Sequence, residues 1–353
     1  MKLFEPLQLR SITLRNRIAV SPMCQYSAID GVVTPWHLVH LGCRAVGGAG
    51  LVMAEASAVR ADGRISPADA GIYSDAHTAA WAPITAFIRE AGAVPAIQLA
   101  HAGRKASTDL PWRGGKPLAP EQGGWLPLKA PSAIPFDDKS PTPEALDLPG
   151  IAGLIADFRR AAQRSLEAGF QVVELHAAHG YLLHAFLSPL SNQRTDHYGG
   201  SFDHRTRFLR EVVSAVREVW PEHLPLFVRL SGTDWAEGGW DIEQSIALAR
   251  QLKPLGVDLI DVSSAGSLPR VALPYGPGFQ VPLARRIRHE AGIATAAVGA
   301  ITDPMQAEQI VHNGDADLVL LAREMLRDPY WPLHAARALK AEITAPVQYQ
   351  RGW

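Results

Sequence analysis

Cysteine is scarce: Cys24 and Cys43 are the only two in 353 residues. Two thiols cannot staple a chain of this size, and their spacing does not suit a thiolate metal site. Both are expected to be reduced, as in a cytoplasmic protein. Charge of one sign is also missing. The 34 basic and 35 acidic residues leave a net charge of −1, without the basic excess of a general nucleic-acid binder. No apolar run reaches the roughly 18 residues of a membrane-spanning helix. Residues 1–11 alternate charged and apolar side chains, unlike a secretory leader.

What is present is a rhythm. Apolar residues make up 47% and charged residues 20%, ordinary for a chain with a sizeable buried core. Eight short apolar runs recur: 18–21, 51–55, 94–99, 172–175, 226–229, 259–262, 295–298 and 318–321. They are apolar on both faces, as strands buried between a core and covering helices are. Amphipathic stretches at 36–46, 77–90, 151–168, 202–219, 242–255, 281–290 and 304–312 read as the helices between them. Gly92, Gly169, Gly256, Gly292 and Gly314 follow helix ends, where a left-handed cap is cheap for glycine. Asp303-Pro304 fits a cap followed by a first-turn proline.

The pattern predicts an α/β fold: a single (β/α)8 TIM barrel spanning 1–353, rather than the two domains that length alone suggests. A doubly wound sheet would carry a nucleotide loop after its first strand, whereas Gly47, Gly48 and Gly50 precede a strand. One stretch breaks the rhythm. Residues 107–150 hold nine prolines, five glycines and two tryptophans. Coming after the third strand, this proline-rich excursion is expected to cap the pocket, or else to be a surface excursion packed by Trp112 and Trp125.

Barrels carry their chemistry at the C-terminal strand ends. The first exit reads Pro22-Met23-Cys24-Gln25-Tyr26; Cys24 is either a nucleophile or an inert filler thiol. At the third, Gln98 offers a donor and an acceptor to a planar amide-like ligand. The fourth runs Glu174-Leu175-His176-Ala177-Ala178-His179-Gly180-Tyr181. Its two histidines could ligate zinc with a third ligand such as His101, or donate two hydrogen bonds to one carbonyl oxygen. The run Asn192 to Asp196 reads as an ordered polar loop. Arg229, leaving the fifth strand, needs an anion, a ring system or a buried salt bridge. Gly299 and Arg323 mark the corner after strands seven and eight, where barrels hold phosphate; Arg323 could instead pair with Asp328. Phosphate there plus an amide reader at Gln98 suggests a planar phosphorylated cofactor.

Taken together, these motifs resemble the old yellow enzyme family of FMN-dependent ene reductases (NADPH dehydrogenases), in its thermophilic-like bacterial subclass, over nearly the whole chain. The resemblance implies tightly but non-covalently bound FMN, with NADPH, or alternatively NADH, as reductant. It implies reduction of the C=C bond of α,β-unsaturated carbonyl or nitro compounds. Pro22, Met23, Cys24, Ala56, Gln98 and Arg229 would line the flavin, and Gly299, Ala322 and Arg323 would hold its phosphate. Tyr26, Cys24, His176 and His179 would meet the substrate, and Tyr181 would donate the proton. The tail, 341–353, would reach a neighbouring subunit and place Arg351 in its pocket, implying a homodimer or homotetramer. A zinc hydrolase using His176 and His179, and a non-catalytic flavin-binding protein, are the alternatives to this reading.

Overall fold

The computed structural model describes residues 1–353. Eight parallel strands close into one barrel: β1 (Ile18–Val20), β2 (Leu51–Ala58), β3 (Val94–Ala100), β4 (Val172–Ala177), β5 (Leu226–Ser231), β6 (Leu259–Ser263), β7 (Ala294–Ala297) and β8 (Leu318–Leu321). Each neighbours the next in chain order, and the ring closes where Val319, Leu320 and Leu321 pair with Ile18, Ala19 and Val20. Every residue of β2 through β6 is buried. Each strand has one face toward the barrel interior and the other under a helix, which is why the apolar runs do not alternate.

The helices are α1 (Pro35–Val46), α2 (Asp75–Glu90), α3 (Leu148–Glu167), α4 (Leu182–Leu187), α5 (Phe202–Val219), α6 (Ile242–Leu252), α7 (Val281–Ala291), α8 (Pro304–His312), α9 (Arg323–Arg327) and α10 (Trp331–Leu339). The five expected cap glycines all have positive φ, and the Asp303 side chain accepts from Gln306 N–H. Two helix boundaries differ from expectation by about a turn. α6 gives way at Lys253–Leu255 to a 3₁₀ turn containing Pro254, whose missing N–H cannot continue the α ladder. α3 begins at Leu148, capped by Asp147, so the last residues of the 107–150 segment are helical.

Four features escaped the sequence pattern. An antiparallel hairpin, Leu7–Leu9 with Ile12–Leu14, precedes the barrel. Its turn residue Arg10 pairs with Asp258 at 2.6 Å, just ahead of β6, so the hairpin lies at the N-terminal end of the barrel, away from the site. The others are the short helices α4 and α9 and the C-terminal α10. Too short for a clear 3.6-residue period, α4 and α9 could be placed only once the strands around them were closed.

The capping segment is mostly irregular. Two 3₁₀ turns interrupt it, and Lys129–Ala130 pairs in parallel with Glu144–Ala145. It is tied to the barrel by polar contacts. Trp125 Nε1 donates to Asp62 O at 3.0 Å, and Arg194 Nη1 donates to Pro131 O at 2.9 Å. The Asn192 to Asp196 run is thus a structural loop: Asn192 Nδ2 donates to Phe186 O and Tyr198 O, both at 2.7 Å, and Arg194 anchors the cap.

Candidate active site

The C-terminal rim of the barrel gathers the strand-exit residues around two cavities. The first, about 380 Å³, lies at the β6–β8 exits and is lined by Ser263, Tyr275, Gln280, Gly299, Ala322 and Arg323 among others. Gly299 has φ +125°, and a Cβ there would sit 2.8 Å from Gln280 Nε2. Only glycine leaves the backbone open at this point. Arg323 does not pair with Asp328, which is taken by His334 at 2.7 Å. Its Nη2 donates to the Tyr275 hydroxyl at 3.0 Å, leaving most of its five N–H groups free. This donor set fits an anion.

Toward the barrel axis the character changes. Gln98, on β3, donates from Nε2 to Glu174 Oε1 at 2.8 Å, which orients its amide. Arg229, on β5, lies 3.2 Å through Nε from Asp261 Oδ2, off the line of a straight hydrogen bond, and Nη1 donates to Ser21 Oγ at 3.3 Å. Its buried ion pair therefore exists, and it still leaves donors unspent. An amide edge, a guanidinium and a phosphate-type corner on one rim fit a planar ring carrying a phosphorylated chain.

The histidine pair sits above them on β4 and the turn that follows. His176 Nδ1 accepts from Ala178 N–H at 3.3 Å, so the ring hydrogen belongs on Nε2, which is free to donate. His179 Nε2 meets Ser263 Oγ at 2.7 Å, leaving Nδ1 unspent. The ring of His176 stands edge-on to His179 (centroids 5.1 Å apart) and to Tyr181 (4.9 Å). Burial, then the Arg229 guanidinium, holds both imidazoles well below their ordinary pKa. Both are neutral at pH 7 and act as hydrogen-bond donors rather than cations. Burial, then Cys24, Tyr26 and Asp69, pushes the Tyr181 phenol well above its ordinary value, so it keeps its proton until a strong base forms beside it. No three His, Cys, Asp or Glu side chains converge to hold a metal ion. His101 is engaged elsewhere, its Nδ1 accepting from Gly103 N–H at 3.0 Å.

The second cavity, about 400 Å³, lies between this rim and the capping segment, with Tyr26, Lys105, Phe136 and Tyr181 in its wall. Tyr26 holds φ +50° and meets the edge of Trp112 from the cap at 5.8 Å. Pro22, Met23 and Cys24 are half-buried in the same loop, and Ala56 is buried beside it. Burial, then Asp69 and Glu55, pushes the Cys24 thiol well above its ordinary value. A thiol held protonated is a poor nucleophile, which favours the non-attacking reading of Cys24.

Several residues that shape the site were not singled out in the sequence. Glu55 occupies a bulge in β2 and turns onto the first loop, its Oε2 accepting from Gln25 N–H at 3.0 Å and its Oε1 lying 3.1 Å from His37 Nε2. His184 Nδ1 accepts from Gly180 N–H at 2.8 Å, and its Nε2 lies 3.1 Å from Asp234 Oδ1. That dyad holds the turn in which His179 (φ +59°) and Gly180 (φ +74°) are both left-handed. The Lys105 ammonium donates to His179 O at 2.8 Å and sits 5.0 Å from the Tyr181 ring centroid and 4.5 Å from that of Phe136. None of these has a local motif: Glu55 and Lys105 act through partners distant in the chain, and His184 ties nearby Gly180 to distant Asp234.

Arg351 is exposed in the 3₁₀ turn Gln350–Gly352. The tail lies over its own barrel, with Tyr349 against Tyr330 at 6.1 Å and Trp353 against His334 at 5.0 Å. Arg351 joins neither cavity of its own chain.

The NADH:flavin oxidoreductase / NADH oxidase family model matches residues 2–342. The chain is 50% identical to an NADPH dehydrogenase of Geobacillus sp. (strain WCH70), over 99% of this chain and 98% of the relative. It is 48% identical to one of Bacillus subtilis (strain 168), over 100% and 99%. Among solved structures it is similar to morphinone reductase in complex with tetrahydroNAD, at 30% identity and a TM-score of 0.79, over 98% of this chain and 92% of that one. It is also similar to an old yellow enzyme homologue from Zymomonas mobilis, at 27% identity and a TM-score of 0.77, over 98% and 95%.

Proposed function

Because the chain belongs to the NADH:flavin oxidoreductase / NADH oxidase family, within its old yellow enzyme branch, we propose that its barrel rim is a flavin site over which α,β-unsaturated carbonyl or nitro compounds are reduced. The protein is an FMN- and NAD(P)H-dependent oxidoreductase of the ene-reductase type acting on small organic substrates, which sets aside both the zinc hydrolase and the non-catalytic binder. When bound, FMN would supply the hydride chemistry that links NADPH to the substrate.

The chain's own residues supply position and charge. Arg323, the Gly299 backbone and Ala322 hold the phosphate. Gln98 reads the amide edge of the ring, and Arg229 faces the region where reduction brings negative charge. Pro22, Met23, Cys24 and Ala56 line the ring. His176, through Nε2–H, and His179 hydrogen-bond the substrate oxygen and stabilise the charge that develops there. Tyr181 passes its phenolic proton to the α carbon, and Tyr26 borders the substrate. Residues 107–150 serve as the lid of the second cavity within the single domain 1–353. The tail, 341–353, places Arg351 in the pocket of a neighbouring subunit of a homodimer or homotetramer. No helix is long and apolar enough to cross a membrane, and the protein works in the cytoplasm.

The observation that carries this reading is the set of three edge-on rings, His176, His179 and Tyr181, standing above Arg229 and Gln98 with both imidazoles neutral. Purified protein is expected to be yellow, to bleach on anaerobic titration with NADPH, and to regain colour on addition of cyclohexenone. Colourless active protein that releases no FMN on denaturation would overturn it.

A further inference from the structure

Beneath the histidine pair the barrel holds more acid than base. Glu174 on β4 and Asp261 on β6 are both completely buried. The strand between them, β5, contributes Arg229, whose Nε lies 3.2 Å from Asp261 Oδ2. Glu174 Oε1 accepts the Gln98 amide at 2.8 Å. Its Oε2 and both oxygens of Asp261 receive no aligned hydrogen bond. Three of four carboxyl oxygens therefore lack a donor, and two ionised carboxylates would face a single guanidinium. Buried acceptors without donors and an uncompensated buried charge are both costly. One proton removes the excess charge and reduces the other cost, since it neutralises the set and turns one of the three orphan acceptors, Glu174 Oε2, into a donor.

We propose that this pair holds one proton at neutral pH and that Glu174 carries it, so that Glu174 is a neutral carboxylic acid that positions Gln98. Asp261 faces the guanidinium, which favours its ionised form. Glu174 faces an uncharged amide, which does not. The charged or titratable groups around Glu174 are Asp261 on β6, Arg229 on β5 and, one pleat above on its own strand, His176; Gln98 on β3 is neutral. Burial, then Asp261, pushes Glu174 well above the usual carboxylate range, outweighing Arg229 and Gln98. Burial raises Asp261 only to about 6, against the pull of Arg229. At pH 7 the proton therefore belongs on Glu174.

The consequence for the site rests on the proposed flavin placement. A neutral Glu174 keeps excess negative charge out of the floor beneath Gln98 and Arg229. Charge that arrives there on reduction then meets the guanidinium rather than a second carboxylate.

The holoenzyme and its E174Q and D261N variants test this in two ways. In infrared difference spectra at pH 7, wild type is expected to show the carbonyl stretch of a protonated carboxyl that E174Q lacks. D261N is expected to lack it too, because Glu174 ionises against Arg229 once the charge of Asp261 is gone. Spectroelectrochemical titration should give wild type and E174Q the same midpoint potential at neutral pH. As pH rises and Glu174 ionises, the wild-type potential should fall below that of E174Q, since added negative charge disfavours the reduced state. A carboxyl band absent from wild type, or surviving in E174Q, overturns the assignment, as do potentials already separated at neutral pH. The infrared arm needs no flavin, so protein that bound none would refute the proposed function while still deciding where the proton sits.

Discussion

Replacing His184 by phenylalanine should loosen the turn after β4 from behind. His184 touches neither cavity, yet its Nδ1 is the acceptor for Gly180 N–H at 2.8 Å, and its Nε2 faces Asp234 at 3.1 Å. Phenylalanine fills the space and offers neither group. A buried N–H left without an acceptor costs about 1–3 kcal/mol. Asp234 keeps the Ser188 hydroxyl at 2.6 Å and Trp240 N–H at 2.9 Å, so its loss is partial, about 1 kcal/mol more. The sum is about 3 kcal/mol. With an unfolding entropy of about 2.1 cal/mol/K per residue over 353 residues, that lowers Tm by about 4 °C. The turn also gives up the anchor that offsets its left-handed residues, of which His179 costs about 1–2 kcal/mol. Relaxation there moves His179 and Tyr181 together, and misplacement by about 1 Å costs on the order of a hundredfold in rate. Calorimetry with stopped-flow kinetics of the two half-reactions reads both effects. Alkene reduction should slow, with flavin reduction by NADPH unchanged. H184N, which keeps an acceptor for Gly180, should recover about half of the stability. An H184F protein that melts with wild type and reduces enones at the wild-type rate would refute the reasoning.

Tyr181→Phe should slow enone reduction by about 10²-fold or more while leaving flavin reduction by NADPH intact, as read by single-turnover absorbance. Arg323→Leu removes charge-assisted bonds of about 1.5–3 kcal/mol, so flavin retention on gel filtration should weaken by roughly tenfold to a hundredfold. Stability should fall as the solution is acidified. Burial, then Arg44 and His37, lowers His40 from 6.5 to about 3, and burial lowers His101 to about 4 against the pull of Asp62. Both folded values lie below the unfolded one, so their contribution is complete above pH 6.5. It is lost on descent toward the folded values, at up to about 1.4 kcal/mol per pH unit for each. Denaturation midpoints across pH 7 to 4 check this, and H40N should flatten the slope.

How much of this was legible in advance depended on whether a feature was local. The eight strands could be read because burial on both faces leaves a continuous apolar run in the sequence itself. The cap glycines could be read because the left-handed φ just past a helix end favours glycine. The N-terminal hairpin could not: strands of three residues leave no period to measure. Among the proposed site residues, His176, His179 and Tyr181 stood out because one strand end delivers all three. Gln98, Arg229, Gly299 and Arg323 stood out because polar groups and a glycine at the exits of apolar strands need a reason.

The sequence alone determined the barrel and the candidate residues of its rim, since both follow from periodicity and from residue type at strand ends. Tertiary structure alone decided the pairings. Glu174 meets Gln98 across 76 positions and Asp234 meets Ser188 across 46, distances that carry no sequence signal until the strands are ordered around the ring. The protonation of the site follows those pairings. A histidine beside Arg229 is neutral, a thiol beside Asp69 and Glu55 stays a thiol, and a carboxyl sharing one guanidinium with another keeps its proton, because each pKa is set by neighbours that only the closed barrel brings together.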